Sequence, residues 1–287
     1  MSAAPAGADW RTATLPMLGE ADLARWMHAG GTKIVEHGGR HWQEVVPGFF
    51  QPLHFLARFA AAELVPPTRL CWGMRAVLAE ADAGAANVAT PVHVLPDLAG
   101  YGPARLDRRR RQALAKAERS VELVVLGRPD IVLEQGYPLA LEAVARNPRN
   151  RPPPEAAFGR WVAAAFARPG PIVLGALEGD RLLGFSLSFA IDGVAYGHKA
   201  FISDAGRRHG LDLLCFHAEA LIAQRTPGIH TLVNGLHAPE NEGLCDFKRR
   251  QGLIVAEYPS LTTMHPIAGS VIRYLRPHQF YRLTGRR

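Results

Sequence analysis

Cysteine is scarce: the 287 residues hold three, Cys71, Cys215 and Cys245. They are odd in number, far apart and without a CxxC spacing, which excludes a disulfide framework and leaves no metal or redox signature. Reduced structural thiols and no bound metal are expected. No apolar run approaches the ~20 residues that span a bilayer. The opening MSAAPAGADW has neither a basic n-region nor an apolar h-region, so a cytoplasmic protein with no membrane partner is expected. Also missing are a GxSxG elbow, an HExxH pair and a GxxxxGK loop ending in Ser or Thr. Hydrolase, zincin and P-loop chemistries therefore lack their minimum parts. Acid is scarcer than base, 26 residues against 33, for a net charge of +7. That excess favours an anionic partner such as a phosphate-bearing cofactor, RNA or an acidic surface, although an Ala/Arg/Gly/Pro-rich vocabulary accounts for part of it.

Apolar residues make up 48% of the chain, enough for a sizeable core in one large domain or two lobes. Residues 1–20 read as irregular and frayed. Glu20–His28 has helical spacing, and two strands, 33–37 and 40–46, flank Gly38-Gly39, a two-residue hairpin signal. The apolar spacing over Phe49–Leu64 predicts a helix ended by Pro66-Pro67, followed by strands over 69–80 and 87–95. A basic helix over 106–119, a strand over 121–126 and a helix over 136–146 come next. The proline-rich stretch 148–154 marks a crossing or boundary, and a helix follows over 155–167.

The second half is more regular. Three strands, 172–177, 181–190 and 194–202, are joined by Gly-bearing turns. Then come a helix over 208–225, a strand over 230–235, a helix over 240–251 and a strand over 253–258. The meander IVLGALEGDRLLGFSLSFAIDGVAYGHKAFI, the basic turn Arg207-Arg208-His209-Gly210, the strand HTLVNGL and the helix GLCDFKRRQGL resemble the GNAT acyltransferase superfamily. The basic helix before them and Phe247-Lys248-Arg249-Arg250 with Gly252 are similar to its Fem-type, peptidoglycan-aminoacyltransferase-like branch. The resemblance covers about residues 97–260. It implies a mixed α/β (α+β) fold, with a GNAT-like central mixed sheet flanked by helices in residues 97–287. Residues 1–96 form an additional N-terminal α+β lobe, read as a degenerate GNAT-like half that supplies the acceptor pocket.

The activity so implied is transfer of an acyl or aminoacyl group, from acyl-CoA or aminoacyl-tRNA, to an amine of a small molecule or peptide. Arg207, Arg208, His209 and Gly210 offer what phosphates need, a helix start with backbone N–H groups and cations beside it. By resemblance Lys248 joins them at the donor end. His198, on the third meander strand, suits a base, and Lys199 and Tyr196 on the same strand are candidate substrate contacts. Asn234 and His237 lie where strand ends meet ligands in open α/β sheets, and are the other catalytic candidates. An ordinary core histidine, an Asx turn and a solvated basic helix are the competing readings of His198, Asn234 and Lys248.

Two departures from the GNAT pattern bear on the donor. Asp212 stands where the phosphate motif has a small residue. Phe247 stands near where the common GNAT helix has a proton-donating Tyr. The missing acid leans toward tRNA and the single Arg-x-x-Gly toward CoA, while Arg108–Arg111 could track RNA phosphates. A GNAT-shaped binding or regulatory module without catalysis is the alternative from another class.

Overall fold

The computed structural model describes residues 7–146 and 151–286. In chain order the elements begin with β1 (Gly7–Asp9), α1 (Glu20–Ala29), β2 (Ile34–His37), β3 (Arg40–Val46), β4 (Phe49–Pro52), β5 (Arg58–Phe59), β6 (Gly73–Leu78) and β7 (Val88–Leu95). The middle of the chain forms α2 (Arg108–Ser120), β8 (Glu122–Leu126), α3 (Asp130–Ala145), α4 (Glu155–Ala165), β9 (Ile172–Glu178), β10 (Arg181–Ile191) and β11 (Val194–Ile202). The last part forms α5 (Asp204–Arg208), α6 (Leu211–Arg225), β12 (Thr231–Leu236), α7 (Glu242–Arg250), β13 (Ile254–Met264), α8 (Pro266–Leu275) and α9 (Pro277–Thr284). Part of the proline-rich break expected over 148–154 lies outside the described residues. Residues 151–154 run without regular structure into α4.

These elements divide into two compact units, each discontinuous in sequence. One takes the residues up to Asp22, Ala29–Gly31 and Pro96–Val233, and the other takes Leu23–His28, Thr32–Leu95 and the residues from Asn234 onward. The chain passes between the units near residue 96 and again after Val233, where the remaining residues group with 32–95.

In the first unit the strand order is β1-β8-β9-β10-β11-β12. The β9-β10-β11 meander forms because its turns hold residues that tolerate positive φ, Gly179 at 60°, Asp192 at 51° and Gly193 at 73°. Alternation along β10 then sorts its side chains. Phe185 packs with Phe158 of α4 and Phe201 of β11, while Ser186 and Ser188 face Glu219 of α6. The first twenty residues are not frayed where described. β1 pairs with β8, Trp10, Leu15 and Leu18 are buried, and the Leu15 amide donates to Thr226 Oγ1 at 2.9 Å.

In the second unit the order is β7-β13-β6-β4-β3-β2, with β5 also against β6. Gly38 and Gly39, at φ 60° and 72°, close the β2-β3 hairpin as expected. The helix expected over Phe49–Leu64 does not form. Phe49, Phe50, Gln51 and Pro52 are all buried in β4, paired antiparallel with β3 after a turn in which Gly48 takes φ 78°. Pro52 could not have served a helix interior, and Phe50 and Phe59 instead join Trp42, Met74 and Leu78 in one core. β13 lies between β7 and β6, antiparallel to both.

Candidate functional site

β11 and β12 run parallel, but their register covers only Val194–Tyr196 against Thr231–Val233. Beyond Tyr196 no strand of the described residues pairs with that edge of β11. On the other edge, the register with β10 slips between Ser188↔Gly197 and Leu187↔Lys199, which makes His198 the extra residue of a bulge. The open edge from Gly197 to Ile202 leads straight into Ser203 and the basic turn.

That turn is built differently from the simple helix start expected over 208–225. Ser203 caps a separate short helix, α5, with its Oγ accepting from the Gly206 amide at 2.9 Å. The amides of Arg207, His209 and Gly210 donate to carbonyls within the turn. Gly210, at φ 82°, ends α5 and begins α6, its carbonyl accepting from the amides of Leu213 and Leu214. The glycine therefore has a conformational task of its own. A Cβ there would lie 3.6 Å from Ala117 Cβ and 3.8 Å from the Ala113 carbonyl oxygen, so α2 crosses directly over the turn. Arg109 lies one helical turn before Ala113 on α2, while Arg110 turns back onto Asp107, Nε to Oδ2 3.6 Å. Arg207 Nε pairs with Asp212 Oδ2 at 2.9 Å, which accounts for the carboxylate where the motif has a small residue. His209 Nε2 is 3.9 Å from Glu178, and Arg208 is exposed.

The three candidates on β11 part company. Tyr196 is 3% exposed and stacked on Phe189 at 5.0 Å, a core packing position and not a substrate contact. His198 sits edge-on to Phe189 at 5.8 Å. Burial, with the Lys199 charge adding to it, pushes the imidazole down to about 3, so it is neutral but much weaker than a base tuned near pH 7. Lys199 keeps an exposed outer surface while its Nζ lies 4.7 Å over the Trp161 ring. Loss of hydration there lowers its pKa.

Asn234, His237 and Lys248 are brought together in the second unit. Lys248 is 6% exposed, and its ammonium donates to the Asn234 carbonyl oxygen beside Gly235. Burial lowers it to about 8. The His237 amide donates to the Pro91 carbonyl at 2.9 Å, which sets its ring beside His93 of β7, centroids 5.4 Å apart. His237 Nδ1 meets the Tyr281 hydroxyl at 3.1 Å. Cys245, on the first turns of α7, donates to the Ala238 carbonyl at 3.3 Å and stands 4.0 Å from His93 Nε2. Burial, with Lys248 and His237 adding to it, lowers His93 to about 4. Neither His93 nor Cys245 is legible as a functional position in the sequence, because 152 residues separate them. The packing of α7 against β7 makes them neighbours.

A separate groove of about 640 Å³ in the first unit is lined by β1, the end of α2, β8 and the Glu178-Gly179 turn, with Asp9, Glu118, Glu122 and Glu178 set against Arg11 and Arg119. It holds no histidine, cysteine or lysine.

The strand order, the parallel pair that parts and the strand-turn-helix that follows define a mixed α/β, GNAT-like fold of the Fem type. Among solved structures, FemX matches with a TM-score of 0.60 at 10% identity, over 92% of this chain and 96% of that one. A chain from Agrobacterium fabrum assigned as the C-terminal domain (DUF2156) of a lysylphosphatidylglycerol synthetase matches with a TM-score of 0.55 at 10% identity, over 93% of each. A conserved protein of unknown function from Bacteroides thetaiotaomicron gives 0.52 at 13%, over 85% of this chain and 90% of that one. At such identities the likeness is one of fold. No family model matches the chain, and no curated protein does. Among the described residues, no helix is long and apolar enough to cross a membrane.

Proposed function

We propose that the protein is an acyltransferase that moves an aminoacyl or acyl group from an anionic carrier to an amine of a small molecule or peptide. The observation that carries this reading is the edge of β11 that β12 leaves open beyond Tyr196, running into the basic turn at 207–210. An extended donor arm adds to an open strand edge through backbone hydrogen bonds. Strand-edge N–H groups there would stabilise the carbonyl oxygen that becomes an oxyanion as the amine attacks. Collapse of that intermediate forms the new amide and releases the carrier. His198 at about 3 takes up a proton poorly at neutral pH, so the amine sheds its proton to water, and positioning supplies most of the rate.

Of the two carriers, aminoacyl-tRNA is the better supported. The amides of Arg207, His209 and Gly210 are bonded within the turn, and Arg207 is already paired with Asp212. Phosphate contact is left to side chains, Arg208 and His209 with Arg109 of α2 alongside, an arrangement suited to a backbone of spaced phosphates. Acyl-CoA remains the second reading, favoured by the β11 edge that β12 leaves open beyond Tyr196. Asn234, His237 and Lys248 have no assigned part in the chemical step.

The test is a thermal-shift and turnover comparison with CoA, acetyl-CoA and bulk aminoacylated tRNA at low and moderate salt, with Arg208→Glu alongside. A shift with aminoacylated tRNA that fades with salt, and a loss of roughly 10-fold in tRNA affinity for Arg208→Glu, is expected. A salt-resistant shift with CoA alone moves the donor to the second reading. Absence of both shift and turnover leaves a GNAT-shaped module without catalysis.

A further inference from the structure

Candidate ligand atoms of His93, His237 and Cys245 all lie within 4.8 Å of one another in the second unit. They come from three elements: β7, the loop after β12, and α7. The set is two imidazoles and a thiol, donors that suit a borderline-soft divalent ion and in particular Zn²⁺. Two further observations point to a ligand. His93 is 3% exposed, its Nδ1 has no hydrogen-bond partner, and its Nε2 has only the 4.0 Å approach of Cys245 Sγ. A buried imidazole so poorly satisfied at both nitrogens is costly unless something else completes it. The second observation is the Tyr281 hydroxyl on His237 Nδ1. A partner on one ring nitrogen fixes the orientation of the ring, the usual support behind a metal-binding histidine.

From this geometry we propose that His93, His237 and Cys245 form a zinc site, with Tyr281 as the positioning residue behind His237. On binding, Cys245 gives up its thiol proton to solvent and coordinates as the thiolate, so the site takes up a dication and adds a net charge of +1. The nearby Lys248 ammonium is turned onto the Asn234 carbonyl, and the thiolate offsets the charge that the ion brings. The site ties the loop at His237 and the start of α7 to β7. It stands independently of the acyl-transfer reading.

The experiment uses the full-length chain, stripped with chelator and titrated with Co²⁺ alone, which replaces zinc and reports its ligands by absorption. Expected is a one-equivalent saturation with ligand-field bands of a four-coordinate ion and a thiolate-to-cobalt charge-transfer band, all displaced by Zn²⁺. Cys245→Ser should lose the charge-transfer band while Cys71→Ser keeps it. His237→Gln should weaken binding further than Tyr281→Phe, for which a loss of about 10-fold is expected. Circular dichroism of each metal-free variant separates loss of binding from loss of fold. Lack of a saturable one-equivalent change in the wild-type chain, or a charge-transfer band that survives in a folded Cys245→Ser, would overturn the site.

Discussion

Glu219 shows how a single residue can be legible in type and not in consequence. It occupies the buried stripe of α6, 6% exposed, with Ser186 and Ser188 of β10 facing it. Burial raises its carboxyl to about 7 from an ordinary 4.5. A folded pKa above the unfolded one means the folded state binds the proton more tightly. The contribution of this group is therefore complete below about pH 4.5 and is lost as pH rises to about 7. Glu219→Gln should gain roughly 2–3 kcal/mol of stability at about pH 8 and almost nothing at about pH 4.5, as read from urea unfolding at the two values. An unchanged difference across pH would refute the titration. In the sequence the apolar stripe of this helix is visible through Leu211, Leu214, Cys215 and Ala218, but Glu219 beside it reads as solvent-facing. What hides it is the partner strand, whose small hydroxyls make room for a carboxyl group. Arg207 and Asp212 show the converse: both residues of that pair are visible in the sequence, but the 2.9 Å contact depends on the extra turn of α5.

At the scale of elements, the meander, α6, β12 and α7 are readable because alternation, helical spacing and turn glycines agree with one another there. Phe49–Leu64 fails because the aromatic spacing matches a helix while the true constraint is pairing with β3, a contact no local pattern encodes. α8 and α9 go unread for a different reason, since their prolines at the first helical positions resemble breakers and in fact begin each helix. In the functional turn the informative glycine is Gly206. A Cβ on it would fall 2.7 Å from Leu211 Cδ1 and 2.8 Å from the Leu183 carbonyl oxygen. Gly206→Ala should therefore cost about 1–3 kcal/mol and pry α5 from β10, lowering the melting temperature and donor affinity together. Gly210→Ala meets no close atom and pays only for its positive φ, roughly 1 kcal/mol. A thermal melt of the two variants ranks them, and the reverse order would show that strain in the turn sits at Gly210.

For the whole molecule, the two units are each assembled from separated stretches of chain, and this is the property least visible in the sequence. Nothing in the local pattern of the sequence signals that residues after Val233 return to the company of residues 32–95. A fragment of residues 97–287 keeps β13 and loses both of its neighbours, β6 and β7. It is expected to be insoluble or to show non-cooperative unfolding, and a sharp two-state melt of that fragment would contradict the division. The same placement of β13 bears on synthesis. As the nascent chain leaves the ribosome, β6 and β7 are made long before the strand that belongs between them, and both wait with an open edge while some 160 intervening residues are translated. The second unit can close only near the end of translation, so truncated products and stalled chains expose paired aggregation-prone edges that the finished protein never presents.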